Sequence, residues 1–179
     1  MTDDFFNLVL KRNSIRNFSC QPVPRELLLK CLEAARLAPS ACNAQPWYFL
    51  VFDESPFKEK VADLAFSGIY ATNSFAREAP VLIAVIRRQI LSPAKAAGWW
   101  QQTDFSLMDL GMACEHLVLQ ATAFGLGSCY LGWFNKKALK KIIPRPFNGR
   151  IELLIALGYP EGENLKNKIR KNLNEMSNF

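Results

Sequence analysis

Three polar islands hold the residues of this chain whose types and spacing could do chemistry. The first is Lys11-Arg12-Asn13-Ser14-Ile15-Arg16-Asn17-Phe18. In an extended segment a period of two sets Arg12, Ser14 and Arg16 on one face. Two guanidinium groups flanking a hydroxyl suit a phosphate or another oxyanion, and a solvated basic turn would use the same residues. The second island is Pro39-Ser40-Ala41-Cys42-Asn43-Ala44-Gln45-Pro46-Trp47. Ser40, Asn43 and Gln45 offer one hydroxyl and two amides between prolines. Pro39 ends the preceding helix and Pro46 pushes Gln45 toward extended geometry. An ordinary helix-to-strand turn uses these residue types as well. The third island is the polar, basic tail from Glu161, with Lys166, Lys168, Arg170 and Lys171. Between the second and third lies Gly125-Leu126-Gly127-Ser128-Cys129-Tyr130-Leu131-Gly132-Trp133-Phe134, a glycine-punctuated strand. Its glycines permit close backbone approach to a ligand. It follows a helix and lacks the GxGxxG spacing, so it is not a dinucleotide fingerprint.

The islands need rigid elements to hold them. Asp3 to Lys11 reads as a short helix with Phe5, Phe6, Val9 and Leu10 on one side. Pro24 to Ala38 reads as a helix, with Leu28, Cys31, Leu32, Ala35 and Ala38 on its apolar stripe. It delivers the chain to the second island, and strand Trp47–Phe52 leaves it. Ser55 to Phe66 reads as a helix with Ser55 at the N-cap and Pro56 at N1. Gly68 to Glu78 is ambiguous. Val81-Leu82-Ile83-Ala84-Val85-Ile86 is a continuous apolar run of the kind found in central strands. Arg87 to Trp100 is the least regular stretch, and its Trp99-Trp100 pair reads as a plug at the core's edge rather than the cover of a pocket. Asp104 to Phe124 is the longest helical pattern. His116 within it reads as a partly buried structural histidine, since no triad partner or second ligand accompanies it. Lys136 to Ile143 reads as a short basic helix and Ile151 to Leu157 as the last strand.

Length and composition narrow the function classes. The 179 residues, half of them apolar, suit one soluble domain spanning 1–179. Five cysteines without a CxxC suggest neither a disulfide framework nor a zinc site. The acidic start Met1-Thr2-Asp3-Asp4 is unlike a signal peptide and no apolar run is long enough to cross a membrane, so a cytoplasmic location is expected. The net charge of +6 favours anionic partners: a phosphorylated cofactor, an acidic substrate or nucleic acid. Nucleic-acid binding would use Lys136, Lys137, Lys140, Lys141, Arg145 and Arg150. The sparse interleaved aromatics favour a solvated face there instead.

Taken together, the motifs resemble those of the flavin-dependent nitroreductase family. They are Arg12-x-Ser14-x-Arg16-x-Phe18, Pro39-Ser-x-x-Asn43-x-Gln45-Pro46-Trp47, Asp109-x-Gly-x-Ala-x-Glu-His-Leu117, Gly125-Leu-Gly-Ser-Cys-Tyr-Leu-Gly132, Leu157-Gly-Tyr-Pro160 and Lys168-x-Arg170-Lys171. The resemblance implies an α+β fold, with a mostly antiparallel sheet flanked by helices. It also implies an intertwined homodimer with FMN at the subunit interface, and a tail, 160–179, packed on the partner. Arg12, Asn13, Ser14 and Arg16, with Lys168 and Arg170, would hold the FMN phosphate, ribityl chain and pyrimidine edge. Pro39, Ser40, Asn43 and Gln45 would reach the partner's flavin, and the Leu131–Gly132 backbone would lie against the isoalloxazine. The implied activity is ping-pong hydride transfer from NAD(P)H, through FMN, to a nitroaromatic, quinone or related acceptor. A specialised enzyme of the same fold, acting in flavin destruction, dehalogenation or ring oxidation with Trp99, Trp100 and Trp133 shaping a dedicated pocket, is the alternative. Three positions depart from the family pattern. Asn13 replaces a frequent basic residue and Asn172 a common proline, while Trp133 stands where a small residue is usual and would narrow the acceptor pocket.

Overall fold

The computed structural model describes residues 4–90, 92–143, 149–162 and 168–178. Its centre is a four-stranded antiparallel sheet, ordered β1-β2-β4-β3. The strands are β1 (Trp47–Phe52), β2 (Val81–Arg88), β3 (Gly127–Leu131) and β4 (Gly149–Gly158). The α-helices are α1 (Asp4–Lys11), α2 (Arg25–Arg36), α3 (Phe57–Ala65), α4 (Pro93–Gln101), α5 (Phe105–Ala123) and α6 (Lys136–Ile142). This is the α+β arrangement expected from the resemblance.

The sheet is covered on both faces, which accounts for the unbroken apolar run of β2. Period two sends Leu82, Ala84 and Ile86 into one core, with Val61 and Phe66 of the α3 region, Leu139 of α6 and Phe18. Val81, Ile83 and Val85 enter the other core, with Leu28, Cys31 and Ala35 of α2 and Leu117 and Val118 of α5. A strand buried on both sides carries no polar alternation, even in an antiparallel sheet. A register shift opens between Val85 and Ile86, which pair with Leu153 and Ile151. The intervening Glu152 is thereby turned toward Arg87, whose Nε donates to it at 2.8 Å.

Two glycines admit the N-terminal segment to the sheet. Ser14 bridges Ser128 in parallel, and the Ile15 amide donates to the Ser128 carbonyl at 2.9 Å. A Cβ on Gly127 would fall 2.5 Å from Ile15 Cγ1, and one on Gly158 would fall 2.4 Å from Pro80 Cδ and 3.3 Å from Phe18. Gly127 thus serves this contact and not the approach of a ligand, a correction to the sequence expectation. Gly132 is different, because a Cβ there would meet nothing within 4 Å.

Other expectations change as well. Helix α3 begins at Phe57, with Pro56 rather than Ser55 at the N-cap. The stretch expected to be irregular contains α4, whose Ser92 hydroxyl accepts from the Lys95 amide with Pro93 in the first turn. Trp99 and Trp100 are each 83% exposed on it, so they do not plug the core. His116 is exposed, its Nδ1 3.2 Å from the Ala34 carbonyl oxygen. No described helix is long and apolar enough to cross a membrane.

Candidate functional site

The first island and the tail meet at one edge of β3. The bridge at Ser14 and the end of α1 place Arg12 beside α5, where its Nε lies 3.9 Å from Glu115 Oε1 with its side chain 18% exposed. The Tyr130 hydroxyl, from β3, donates to the other Glu115 oxygen at 3.3 Å. Burial, reinforced by Cys114 and Glu115, raises the Tyr130 pKa, so this phenol stays protonated as a donor. Arg16 lies 6.0 Å from the Phe75 ring centroid, and the Cys129 thiol is 3.8 Å from the Tyr130 carbonyl oxygen. Burial pushes the Cys129 thiol up, while Arg16 and then Arg12 pull against it. From the far end of the sequence, Lys168 Nζ donates to the Val9 carbonyl. Its pKa is lowered by burial first, then by the charges of Arg12 and Arg170, with Glu115 opposing.

The meaning of this cluster is electrostatic. Arg12 and Arg170, from opposite ends of the chain, sit close enough to Lys168 to disfavour its charge. Glu115 is the one carboxylate among the described residues seen to act on them, and it is about half exposed. Such an arrangement is relieved by an anion carrying more than one charge. Ser14 is exposed beside it, and the Asn13 amide donates only to the nearby Lys11 carbonyl at 3.3 Å.

The second island is a strained loop. Cys42, Asn43 and Gln45 have φ of 50°, 52° and 45°, in the left-handed region that non-glycine residues avoid. Gln45 is therefore not extended, contrary to the expectation from Pro46. Local bonds explain it: the Gln45 amide donates to Ser40 Oγ at 3.0 Å and its Nε2 donates to Asn43 Oδ1 at 2.9 Å. A third anchor comes from α5, where Asp109, 3% exposed, accepts from the Ala41 amide at 3.0 Å. Pro39 is exposed at the exit of α2. Among the described residues, the Asn43 Nδ2, the Ser40 hydroxyl proton and Gln45 Oε1 have no protein partner, leaving donors and an acceptor for a polar heterocycle edge.

The two islands make separate contacts; among the described residues no hydrogen bond or ion pair joins them within one chain. Leu131 is buried at the end of β3 and Gly132 follows it into open space. Trp133 folds back, its Nε1 donating to the Ile69 carbonyl at 3.0 Å and its ring 5.1 Å from that of Tyr70. Lys137, Lys140 and Lys141 are exposed on or beside α6, whereas Arg145 and Lys166 lie outside the described residues.

A pocket at Trp99 and Trp100 is the reading less favoured from sequence, and the fold supplies it without Trp133. A cavity of about 1000 Å³ opens beside the second island, lined by Ala44, Pro46 and Asp109 on one side and by α4 with Trp99 and Trp100 on another. The Ser92-Pro93 pair was the available signal, since serine before proline marks a helix start as readily here as elsewhere. Among the described residues no group of histidine, cysteine or acidic side chains could hold a metal ion.

Comparison with known proteins agrees with the fold. The sequence profile of the Nitroreductase family matches residues 9–159. The chain is 30% identical to a protein from Thermus thermophilus named NADH dehydrogenase, covering 86% of this chain and 85% of that one. It is 25% identical to an iodotyrosine deiodinase from Thermotoga neapolitana, over 87% and 88% of the two chains. The crystal structure of a nitroreductase family protein from Streptococcus pneumoniae superposes with a TM-score of 0.81 at 28% identity, covering 97% and 98%. A structure described as an oxidoreductase containing FMN gives 0.77 at 26%, covering 95% and 88%. A profile match over most of the chain, on a fold built from the same elements, establishes that this chain belongs to the nitroreductase family of oxidoreductases.

Proposed function

We propose that the chain is an FMN-dependent NAD(P)H oxidoreductase that works as a homodimer and reduces nitroaromatics, quinones or related acceptors in a ping-pong cycle. The observation that carries this reading is the tail's return to the first island: Lys168 bonds Val9 at the end of α1 and lies near Arg12 and Arg170, while Arg12 and Arg16 lie near Cys129 of β3. A flavin phosphate, with more than one negative charge near neutral pH, matches the charge of this cluster. The relative named NADH dehydrogenase and the FMN-containing structural neighbour support the same choice.

The residues fit the cofactor. Arg12, Lys168 and Arg170 would hold the phosphate, and Asn13, Ser14 and Arg16 the ribityl chain and pyrimidine edge. The open space over Gly132 leaves room for a planar ring against the Leu131–Gly132 backbone. When bound, FMN supplies the two-electron chemistry that carries a hydride equivalent from NAD(P)H to the acceptor, with protons drawn from solvent. A guanidinium at the pyrimidine edge stabilises negative charge there, which is the role assigned to Arg16. No side chain is nominated as a catalytic acid or base.

A second copy of the chain would complete the site. Among the described residues the apolar side of α1 leaves Phe5 66%, Val9 36% and Leu10 51% exposed. Also exposed are Leu107, Met108 and Met112 on α5, and Ile169, Leu173 and Met176 in the tail. Faces this apolar suit an obligate interface, with Pro39, Ser40, Asn43 and Gln45 serving the partner's flavin and the tail lying along the partner. The deiodinase relative favours reductive dehalogenation as a second reading, which release of iodide from an iodophenol by the reduced protein would reveal.

The test is a titration of cofactor-stripped protein with FMN and with riboflavin, alongside sedimentation. Tight FMN binding, weaker riboflavin binding and a dimer are expected. Equal affinity for the two flavins would refute the phosphate assignment, and a flavin-loaded monomer would refute the shared site.

A further inference from the structure

The cavity beside the second island has a charge pattern of its own. Its described lining includes four cations, Arg87, Arg88, Lys95 and Arg150, against Asp104 and Asp109. Arg87 is already matched: it donates to Glu152 at 2.8 Å and pairs with Asp104, which Ser106 also bonds. Arg150 has a looser contact, 3.5 Å from Glu152. Asp109 is spent on the Ala41 amide. Arg88 and Lys95 have no side-chain partner among the described residues, so they leave the cavity with an unanswered positive rim.

Above that rim stand two exposed indoles. Gly98 makes their position possible, because a Cβ there would fall 2.5 Å from the Thr103 carbonyl oxygen and 3.3 Å from the Phe105 ring. The Thr103 amide returns a bond to the Gly98 carbonyl at 2.9 Å, closing α4 onto the start of α5. Trp99 and Trp100 are thus held on a short, tethered helix yet remain 83% exposed. Large apolar rings left bare over a polar cavity suit stacking against a planar ligand.

We infer that this cavity is the acceptor site and selects planar aromatics that carry a negative group, with Trp99 and Trp100 stacking on the ring and Arg88 and Lys95 answering the charge. The inference rests on the flavin reading above, which sets the Ser40–Gln45 loop beside a flavin and so sets the adjoining cavity where an acceptor must lie. Trp133, held against Ile69 and Tyr70, takes no part in it.

The experiment uses FMN-loaded protein and two acceptors of matched shape, 4-nitrobenzoate and its neutral counterpart 4-nitrobenzamide. Each exposed ion pair contributes up to about fivefold, so the kcat/KM ratio of benzoate to benzamide should fall by about 3- to 10-fold in an Arg88→Gln, Lys95→Gln double variant. Lys141→Gln, on an exposed residue away from the cavity, should leave the ratio unchanged, and added salt should lower the parent's ratio toward the variant's. Trp99→Ala with Trp100→Ala should raise KM for both acceptors, and 4-nitrobenzoate should quench less of the tryptophan fluorescence than in the parent. A ratio that survives the double substitution, or a KM indifferent to loss of both indoles, overturns the assignment. A parent that takes up no FMN overturns the flavin reading and this inference with it; a loaded parent showing neither effect overturns only the inference.

Discussion

Removing Asp109 should release the second island. Two of its left-handed residues, Cys42 and Gln45, each cost about 1–2 kcal/mol, and Asn43 costs less. Against this strain stand the Ser40 and Asn43 bonds, each contributing about 1 kcal/mol, and the bond from the Ala41 amide to a buried carboxylate, contributing about 1.5–3 kcal/mol. Asp109 is therefore the largest single anchor, and without it the strain and the remaining bonds nearly balance. Asp109→Ala also leaves the Ala41 N–H without its partner, so a total loss of about 2–4 kcal/mol is expected. In a domain of this size that lowers Tm by roughly 5–15 °C. Asp109→Asn keeps an oxygen acceptor and should lose about half as much. Hydrogen exchange localises the effect: amides of residues 40–45 should exchange about ten- to a hundredfold faster in the alanine variant, while those pairing β1 with β2 keep their relative protection. Unchanged loop exchange and a Tm within a degree or two of the parent would refute the view that Asp109 holds the loop.

Three further outcomes are expected. Arg170→Ala should weaken FMN roughly ten- to a hundredfold with little effect on riboflavin, whereas Lys141→Ala should change neither; equal losses in isothermal titrations would mean only a diffuse basic field. Lys168 is held below the ordinary lysine range by burial and by Arg12 and Arg170, and a bound phosphate would raise it again. FMN affinity should therefore be full while Lys168 is protonated and fall as pH rises through its free value toward its bound one; Lys168→Arg should move that decline upward, and a decline shared by riboflavin would refute the assignment. Gly127→Ala should destabilise by about 1–3 kcal/mol through its clash with Ile15, with partial recovery on adding Ile15→Ala, while Gly132→Ala should leave apoprotein stability unchanged and weaken FMN, as read by urea unfolding and flavin titration.

Much of the fold was legible because its elements carry their own periods. The stripe from Leu28 to Ala35 and the run Val81–Ile86 announce a helix and a doubly covered strand without reference to anything distant. Residues whose role depends on a remote partner were not legible in that way. Asp109 looks like any polar residue near a helix start until the Ala41 amide, 68 positions earlier, is brought to it. Gly127 reads as a ligand-facing glycine until Ile15 is seen filling its space. Gln45 shows the limit of a local rule: the bias imposed by Pro46 yields to two hydrogen bonds inside the loop. Trp99 and Trp100 show that hydrophobic content alone does not imply burial: a plug at the core's edge would lie inside, and the fold leaves both 83% exposed on α4. Of the candidate site, the residue types were readable from sequence, and their gathering at β3 required the fold.

The most direct test of the proposed activity is the visible spectrum of the FMN-loaded protein under anaerobic conditions. Addition of NADH or NADPH should bleach the flavin, and a quinone added after the nucleotide is removed should restore the colour. Protein that takes up no FMN, or whose flavin stays oxidised with both nucleotides, would contradict it.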